Sequence, residues 1–325
     1  MKTDSDTSDE LHINLKRLIV PDKRSFHGTV IPYGDKYICI YHNSENHRLA
    51  SCLIEKSETD TFKYIDGTHT EDLSISRYMD PRIIKYKSDY YISTGTSNYG
   101  PDTITLFKLK IEDKILIDET FNAAFMNILD WPGYHKSYEK NWSPWIHEGK
   151  FLYTYSLNPH RILELDIKSK SVKLIASTTW KTNSWWSTQP FEVPRYRLNC
   201  PPLLLSDGSY LSIFHTMRMD DLRTPWHKIF PNQLRTYYMG FFQFEGIYPF
   251  KVINISKRPF ITPLYILPSD WPFHPPPSGG NPFYPFSMVL DNYQVRVFGG
   301  SNEIAIAYCS IPLQDILNSM CPVQE

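Results

Sequence analysis

Cysteine is scarce and unpatterned in this chain of 325 residues. Its five copies (Cys39, Cys52, Cys200, Cys309 and Cys321) are an odd number with no CxxC pair. That argues against a disulfide framework and for free, mostly buried thiols in a reducing compartment, and no metal site is expected. Charge of either sign is not concentrated: 34 Lys and Arg face 35 Asp and Glu, with no basic block or stripe, so nucleic acid is excluded as a partner. No apolar run approaches bilayer-spanning length, which excludes membrane insertion. The opening residues MKTDSDTSDELH lack an apolar signal core. They read as a disordered polar tail, 1–12, on a cytoplasmic protein. Helical periodicity is also nearly absent. The best stretch is Leu313–Met320 behind Pro312, and a second, within Asp220–Gln233, is interrupted by Pro225 and Pro231. No Gly/Ser-rich or charge-rich linker divides the chain, so residues 13–325 are expected to form one domain.

What is present is one pattern written five times: VIPYGDKYICIYH (30–42), IIKYKSDYYISTGT (83–96), WIHEGKFLYTYSL (145–157), LLLSDGSYLSIFH (203–215) and MVLDNYQVRVFGG (288–300). Each is a short apolar run, a turn centred on Gly, Asp, Asn or Ser, and an alternating run rich in Tyr, Ile and Phe, which is a β-hairpin signal. Five copies spaced along one chain predict an all-β fold, a five-bladed β-propeller with one hairpin from each blade and a short C-terminal helix. Residues just ahead of each copy then converge on a central cavity. Aromatics make up 15% of the chain. Tyr suits half-buried strands, and aromatic faces also pack against the apolar faces of sugars. A Pro- and aromatic-rich stretch, 268–285, reads either as a lid over a site or as a packing insertion.

The polar residues beside the copies carry the chemistry. Met79-Asp80-Pro81-Arg82 precedes the second copy and Glu139-Lys140-Asn141-Trp142-Ser143-Pro144 the third. Asn199-Cys200-Pro201-Pro202 precedes the fourth, which ends on His215, and Gly299-Gly300-Ser301-Asn302-Glu303 closes the fifth. Singly, each has an ordinary explanation. Asp80 and Arg82 fit a turn with a local ion pair, Lys140 a solvated lysine, and His215 a core histidine. Their shared position relative to the repeat raises the functional reading.

In order along the chain these segments resemble glycoside hydrolase family 130, the β-mannoside phosphorylases, and the related mannosyltransferase/phosphorylases of glycosyltransferase family 108. Asp80-Pro81-Arg82 followed by IIKYKSDYYISTGT is similar to the family's DPR segment. Glu139 to Trp145 is similar to its phosphate-lysine strand, and Asn199 to His215 to its PP…DG…YH segment. The stretches 237–263 and 288–317 resemble its closing motifs, so the resemblance spans most of residues 25–318.

The resemblance implies a five-bladed propeller with a central active site and no cofactor, inorganic phosphate or a sugar phosphate being a co-substrate. It implies Asp80 as general acid, Lys140 and His215 as phosphate ligands, and Arg82, Asn141, His27, His42 and Asn302 as substrate contacts. The expected partner is an oligosaccharide or sugar-phosphate substrate. The implied reaction is inverting phosphorolysis of β-mannosides, or its reverse. The alternatives are a nucleotide-sugar-dependent β-mannosyltransferase and a non-catalytic carbohydrate-binding propeller.

The chemistry is coherent without the family. Inverting hydrolysis needs two carboxylates because a base must activate water. Phosphate is already an anionic nucleophile, so one acid and cationic clamps suffice. The chain departs from the family at several points. Met79 replaces a glutamate, Asn302 an aspartate and His42 an arginine, while Phe26-His27-Gly28 stands for an F-N-P motif. No arginine occurs in 122–139. These changes bear on phosphate more than on the sugar site.

Overall fold

The computed structural model describes residues 11, 13–22, 25–43, 45–46, 48–75, 78–96, 103–125, 141–188, 196–219, 235–260, 283–301 and 305–325. A short first strand, β1 (Lys16–Leu18), leads into blade I, made of β2 (Ser25–Tyr33), β3 (Lys36–Asn43), β4 (Arg48–Lys56) and β5 (Phe62–Tyr64). Blade II is β6 (Tyr78–Tyr86), β7 (Asp89–Thr96), β8 (Thr103–Ile111) and β9 (Ile115–Phe125). Blade III is β10 (Ser143–His147), β11 (Lys150–Leu157), β12 (His160–Asp166) and β13 (Ser171–Thr178), followed by a one-turn helix, α1 (Trp185–Thr188). The inner strand of blade IV is split into β14 (Arg197–Leu198) and β15 (Leu203–Leu204), both paired with β16 (Tyr210–Met219), beyond which lie β17 (Arg235–Phe244) and β18 (Val252–Ser256). Blade V is β19 (Phe283–Asp291), β20 (Gln294–Ser301) and β21 (Ala305–Pro312), and the chain ends with α2 (Leu313–Asn318) and β22 (Met320–Pro322).

The five blades form the expected five-bladed propeller. All five hairpins of the repeat are present, each as the inner strand and its first partner. The inner strands form a ring: β19 and β6 both pack on β2, β10 packs on β6, β14 on β11, and β15 on β19. Both chain ends then lock the circle. Strand β1 pairs antiparallel with β21, so the first strand completes the last blade, and β22 pairs with β18 of blade IV. The rims of blades II and III are also joined by a short parallel pairing of β9 with β13.

The blades explain why the copies read as nearly continuous apolar runs. A propeller strand is covered on both faces by neighbouring blades, so residues of both parities are buried. Ile38 and Ile40 of β3 point to blade II, packing with Ile83, Ile92 and Phe107. Cys39 and Tyr41, between them, point to blade V, packing with Val289, Phe298 and Tyr308. Equivalent seams hold Tyr91 with Phe151 and Tyr153, Trp145 with Phe214 and Phe244, and Ile213 with Met288 and Val295. Each such side chain contributes about 1.5–3 kcal/mol on burial.

The thiols are free; Cys39, Cys52, Cys200 and Cys309 are buried and Cys321 half-buried. Burial pushes the Cys309 thiol up to about 12, which keeps it unreactive. The C-terminal helix forms over Leu313–Asn318 with Pro312 at its N-cap. Helix α1 was not expected, since four residues are too few to show a period. The possible helix within 220–233 and most of 268–285 lie outside the described residues, as does the polar tail except for Leu11, which packs half-buried against the core. Among the described residues no helix is long and apolar enough to cross a membrane.

Candidate active site

Each inner strand breaks its pairing at the same level. The register slips between Phe26 and Thr29 in β2, between Met79 and Arg82 in β6, and between Pro285 and Ser287 in β19. In blade IV the break is the gap from Asn199 to Pro202, and in blade III it is Asn141, just ahead of β10. His27, Asp80, Asn141 and Pro285 each stand seven residues before the first residue of their hairpin turn, which are Gly34, Lys87, Glu148 and Asn292. They are structural equivalents.

Three of the four hold a left-handed backbone, with φ of 53° at His27, 59° at Asp80 and 67° at Asn141. His, Asp and Asn are the non-glycine residues that best tolerate this conformation. Such a bulge turns a side chain out of the pleat. The prolines fit the same breaks: Pro81, Pro201, Pro202 and Pro285 have no N–H to give to a ladder.

The bulges bring blades I and II together. His27 Nδ1 lies 3.7 Å from Asp80 Oδ1, with side chains 8% and 13% exposed. The His27 ring meets Phe26 at 4.5 Å, Phe286 at 4.7 Å and Tyr284 at 6.4 Å between centroids. Tyr284 in turn lies 6.1 Å from the ring of His215. Asp80, His27, Tyr284 and His215 therefore form an arc over blades II, I, V and IV.

A second chain of contacts runs beneath that arc. Arg82 is 3% exposed and donates from Nε to the Asn199 carbonyl at 2.6 Å and from Nη1 to the Asp80 carbonyl at 2.9 Å. Its Nη2 makes longer contacts of 3.4 Å with Asn141 Oδ1 and the Leu198 carbonyl. Burial pulls the Arg82 pKa below the usual arginine value while the Asp80 charge opposes that shift, and a guanidinium stays charged at neutral pH throughout. Asn199 passes the connection on: its Oδ1 is 2.6 Å from His215 Nδ1, and its Nδ2 donates to the Pro285 carbonyl at 3.2 Å. Asp80 and His215 are thus tied to one framework by two side chains.

Of the eight residues singled out in the sequence, Asp80, Arg82, Asn141, His27 and His215 are gathered at this centre. His42 is set behind it, opposite Phe26 on β3 with the two rings 4.6 Å apart. Lys140 and Asn302 lie outside the described residues. Sequence reasoning left Asn199, Tyr284 and Phe286 without a role. The seven-residue offset from each turn would have pointed to the FYPF stretch and marks His27 and Asn141 as equivalents of Asp80. It fails for Asn199, because the fourth turn (205–209) is longer. Among the described residues no group of three or more His, Cys, Asp or Glu is placed to hold a metal ion.

No protein-family model matches the chain, and no curated protein matches its sequence. Solved structures do match its fold. A β-1,2-mannobiose phosphorylase from Listeria innocua aligns at a TM-score of 0.55 and 13% identity, covering 94% of this chain and 92% of that one. A mannose phosphorylase from Leishmania mexicana, in complex with phosphate ion, aligns at 0.50 and 12% identity, covering 97% and 92%. A structure from work on the glycoside hydrolase family 130 of mannoside phosphorylases, whose hydrolases target β-1,2 mannosidic linkages, aligns at 0.56 and 12% identity, covering 90% and 85%. At these identities the shared property is the fold.

Proposed function

We propose that the axial cluster is the active site of an enzyme acting on β-mannosides, by inverting phosphorolysis or by the reverse transfer from mannose 1-phosphate. The observation that carries this reading is the placement of Asp80 and His215 on one framework at the propeller axis, through Arg82 and Asn199. The structures that share the fold include mannoside phosphorylases.

In the proposed reaction an oxygen of inorganic phosphate attacks the anomeric carbon from the face opposite the leaving group. The glycosidic C–O bond breaks as the new C–O bond forms. Asp80 gives its proton to the departing oxygen, directly or through a sugar hydroxyl. His215 and Lys140 hold the phosphate, since cationic donors form the strongest hydrogen bonds to it. Tyr284, which is only half-buried, offers a ring face to the sugar. Asn141 and Asn302 supply polar contacts to its hydroxyls, and His42 supports Phe26. Arg82, whose donors are spent on protein acceptors, holds Asp80 and Asn199 in position.

The test is to supply mannose 1-phosphate, or GDP-mannose, together with mannose or mannobiose, and to follow longer products and released phosphate. Elongation from mannose 1-phosphate is expected. Elongation from GDP-mannose alone would make the protein a nucleotide-sugar transferase. Sugar binding without product from either donor would make it a binding propeller. Asp80→Asn is expected to lower turnover by about 10²–10⁴-fold, the usual contribution of a general acid, with sugar affinity nearly unchanged.

A further inference from the structure

Blade I places His27 at the position where blade II places Asp80, both on left-handed bulges, so that an imidazole faces a carboxyl across the inner-strand seam. From this geometry we infer that His27 and Asp80 hold one proton between them and act as a coupled acid, His27 resupplying the proton that Asp80 delivers. The inference rests on the reading of Asp80 as the general acid.

The surroundings of His27 are built for an imidazole at that point. Phe26, Phe286 and Tyr284 close around its ring. Gly300 of β20 leaves the remaining space, since a Cβ there would come within 2.7 Å of His27 Cδ2 and 3.0 Å of its backbone nitrogen. Among the described residues, Asp80 from β6 and Tyr284 from β19 are titratable groups that lie against His27, while Arg82 reaches the Asp80 carbonyl and His42 packs on Phe26 behind the ring. Arg82 is directed at carbonyl oxygens, including that of Asp80. The direct contact makes Asp80 the group with which His27 exchanges a proton. The separation of 3.7 Å is an ion-pair distance, and catalytic contacts commonly shorten once substrate is bound.

The proton account closes. As the glycosidic C–O bond breaks, Asp80 loses its proton to the leaving oxygen and becomes a carboxylate. That leaves a carboxylate beside a neutral imidazole; His27 then takes a proton from water at Nε2 and passes its Nδ1 proton to Asp80 Oδ1, which restores the carboxyl and the single shared proton. The shared proton leaves in a macroscopic step that belongs to the pair and to neither residue alone, and an imidazole member sets that step above the range of a lone carboxyl. His27 acts through Asp80 and is a positioning and proton-resupplying residue.

His27→Asn is the clean variant, because asparagine tolerates the left-handed backbone best. With the wild-type enzyme as reference, its kcat/KM is expected to fall about tenfold or more at pH 7.5 and less than about threefold at pH 5, with the alkaline limb moved down by at least about one unit. An equal loss at both pH values, or none at either, overturns the inference while leaving Asp80 as the acid. A second measurement needs no turnover, so it still decides if the proposed activity fails. The His27 ring proton, followed by NMR, is expected to titrate about one unit lower in Asp80→Asn than in wild type, since the carboxylate partner is gone. An unchanged midpoint shows that the two groups are not coupled and ends the proposal.

Discussion

At the scale of single residues, the site depends on side chains whose backbone is already unusual. A left-handed non-glycine residue costs roughly 1–2 kcal/mol, and three of them sit at one level of consecutive inner strands. Arg82 repays part of this by fixing the Asp80 carbonyl and the Asn199 carbonyl together. Arg82→Gln leaves those buried carbonyls short of donors and is expected to lower stability by about 2–4 kcal/mol, measured by urea unfolding. Its kcat should drop well beyond any change in KM, because Asp80 and His215 lose their common anchor. A variant with normal kcat would place Arg82 outside the machinery. In the sequence, Asp80, Arg82 and His215 were legible from their position beside the repeat and from the resemblance. Asn199 and Tyr284 were not, because one lies before a lengthened turn and the other at the end of a Pro-rich stretch with no period of its own.

At the scale of elements, the seams between blades set the response to acid. His160, on β12 in the seam between blades III and IV, is buried and donates from Nδ1 to the Phe250 carbonyl at 2.7 Å. Burial lowers its pKa to about 4, with the hydrogen bond to Phe250 opposing. An unfolded histidine titrates near 6.5, so below that pH the unfolded state binds a proton that the folded state refuses. Stability is then full above about pH 6.5 and falls as the pH drops toward about 4, by about 1.4 kcal/mol per unit for this one group. Urea midpoints of wild type and His160→Gln between pH 4 and 7 should show this slope in wild type and its loss in the variant. Parallel curves would mean that His160 is not held neutral. Strand identity was readable here because both faces are covered, so YICIY and YLSIF appear as unbroken apolar runs. The strand breaks were less readable, since a bulge adds one residue without changing composition.

At the scale of the whole molecule, circular closure brings chemistry from four blades to one axis. The expected blade number is what the structure shows, because five hairpins were written plainly in the sequence. How the ring closes was not legible. Strand β1 is only three residues, KRL, and β22 is MCP; neither has enough length for a period-2 signal. A charged network reinforces the seam beside β1's blade: Arg296 and Lys56 each donate to Asp291 Oδ2 at 2.7 Å, and Arg296 also binds Asp60. Closure is what lets Asp80, His27, Tyr284 and His215, up to 257 positions apart in sequence, form one arc of contacts.

The most direct measurement is a crystal structure of the protein soaked with mannobiose and inorganic phosphate. The expected result is a sugar ring against Tyr284, its glycosidic oxygen within hydrogen-bond reach of Asp80 or of a sugar hydroxyl bridging to it, and phosphate at His215. Sugar bound elsewhere on the propeller, with the axis unoccupied at saturating ligand, would contradict it.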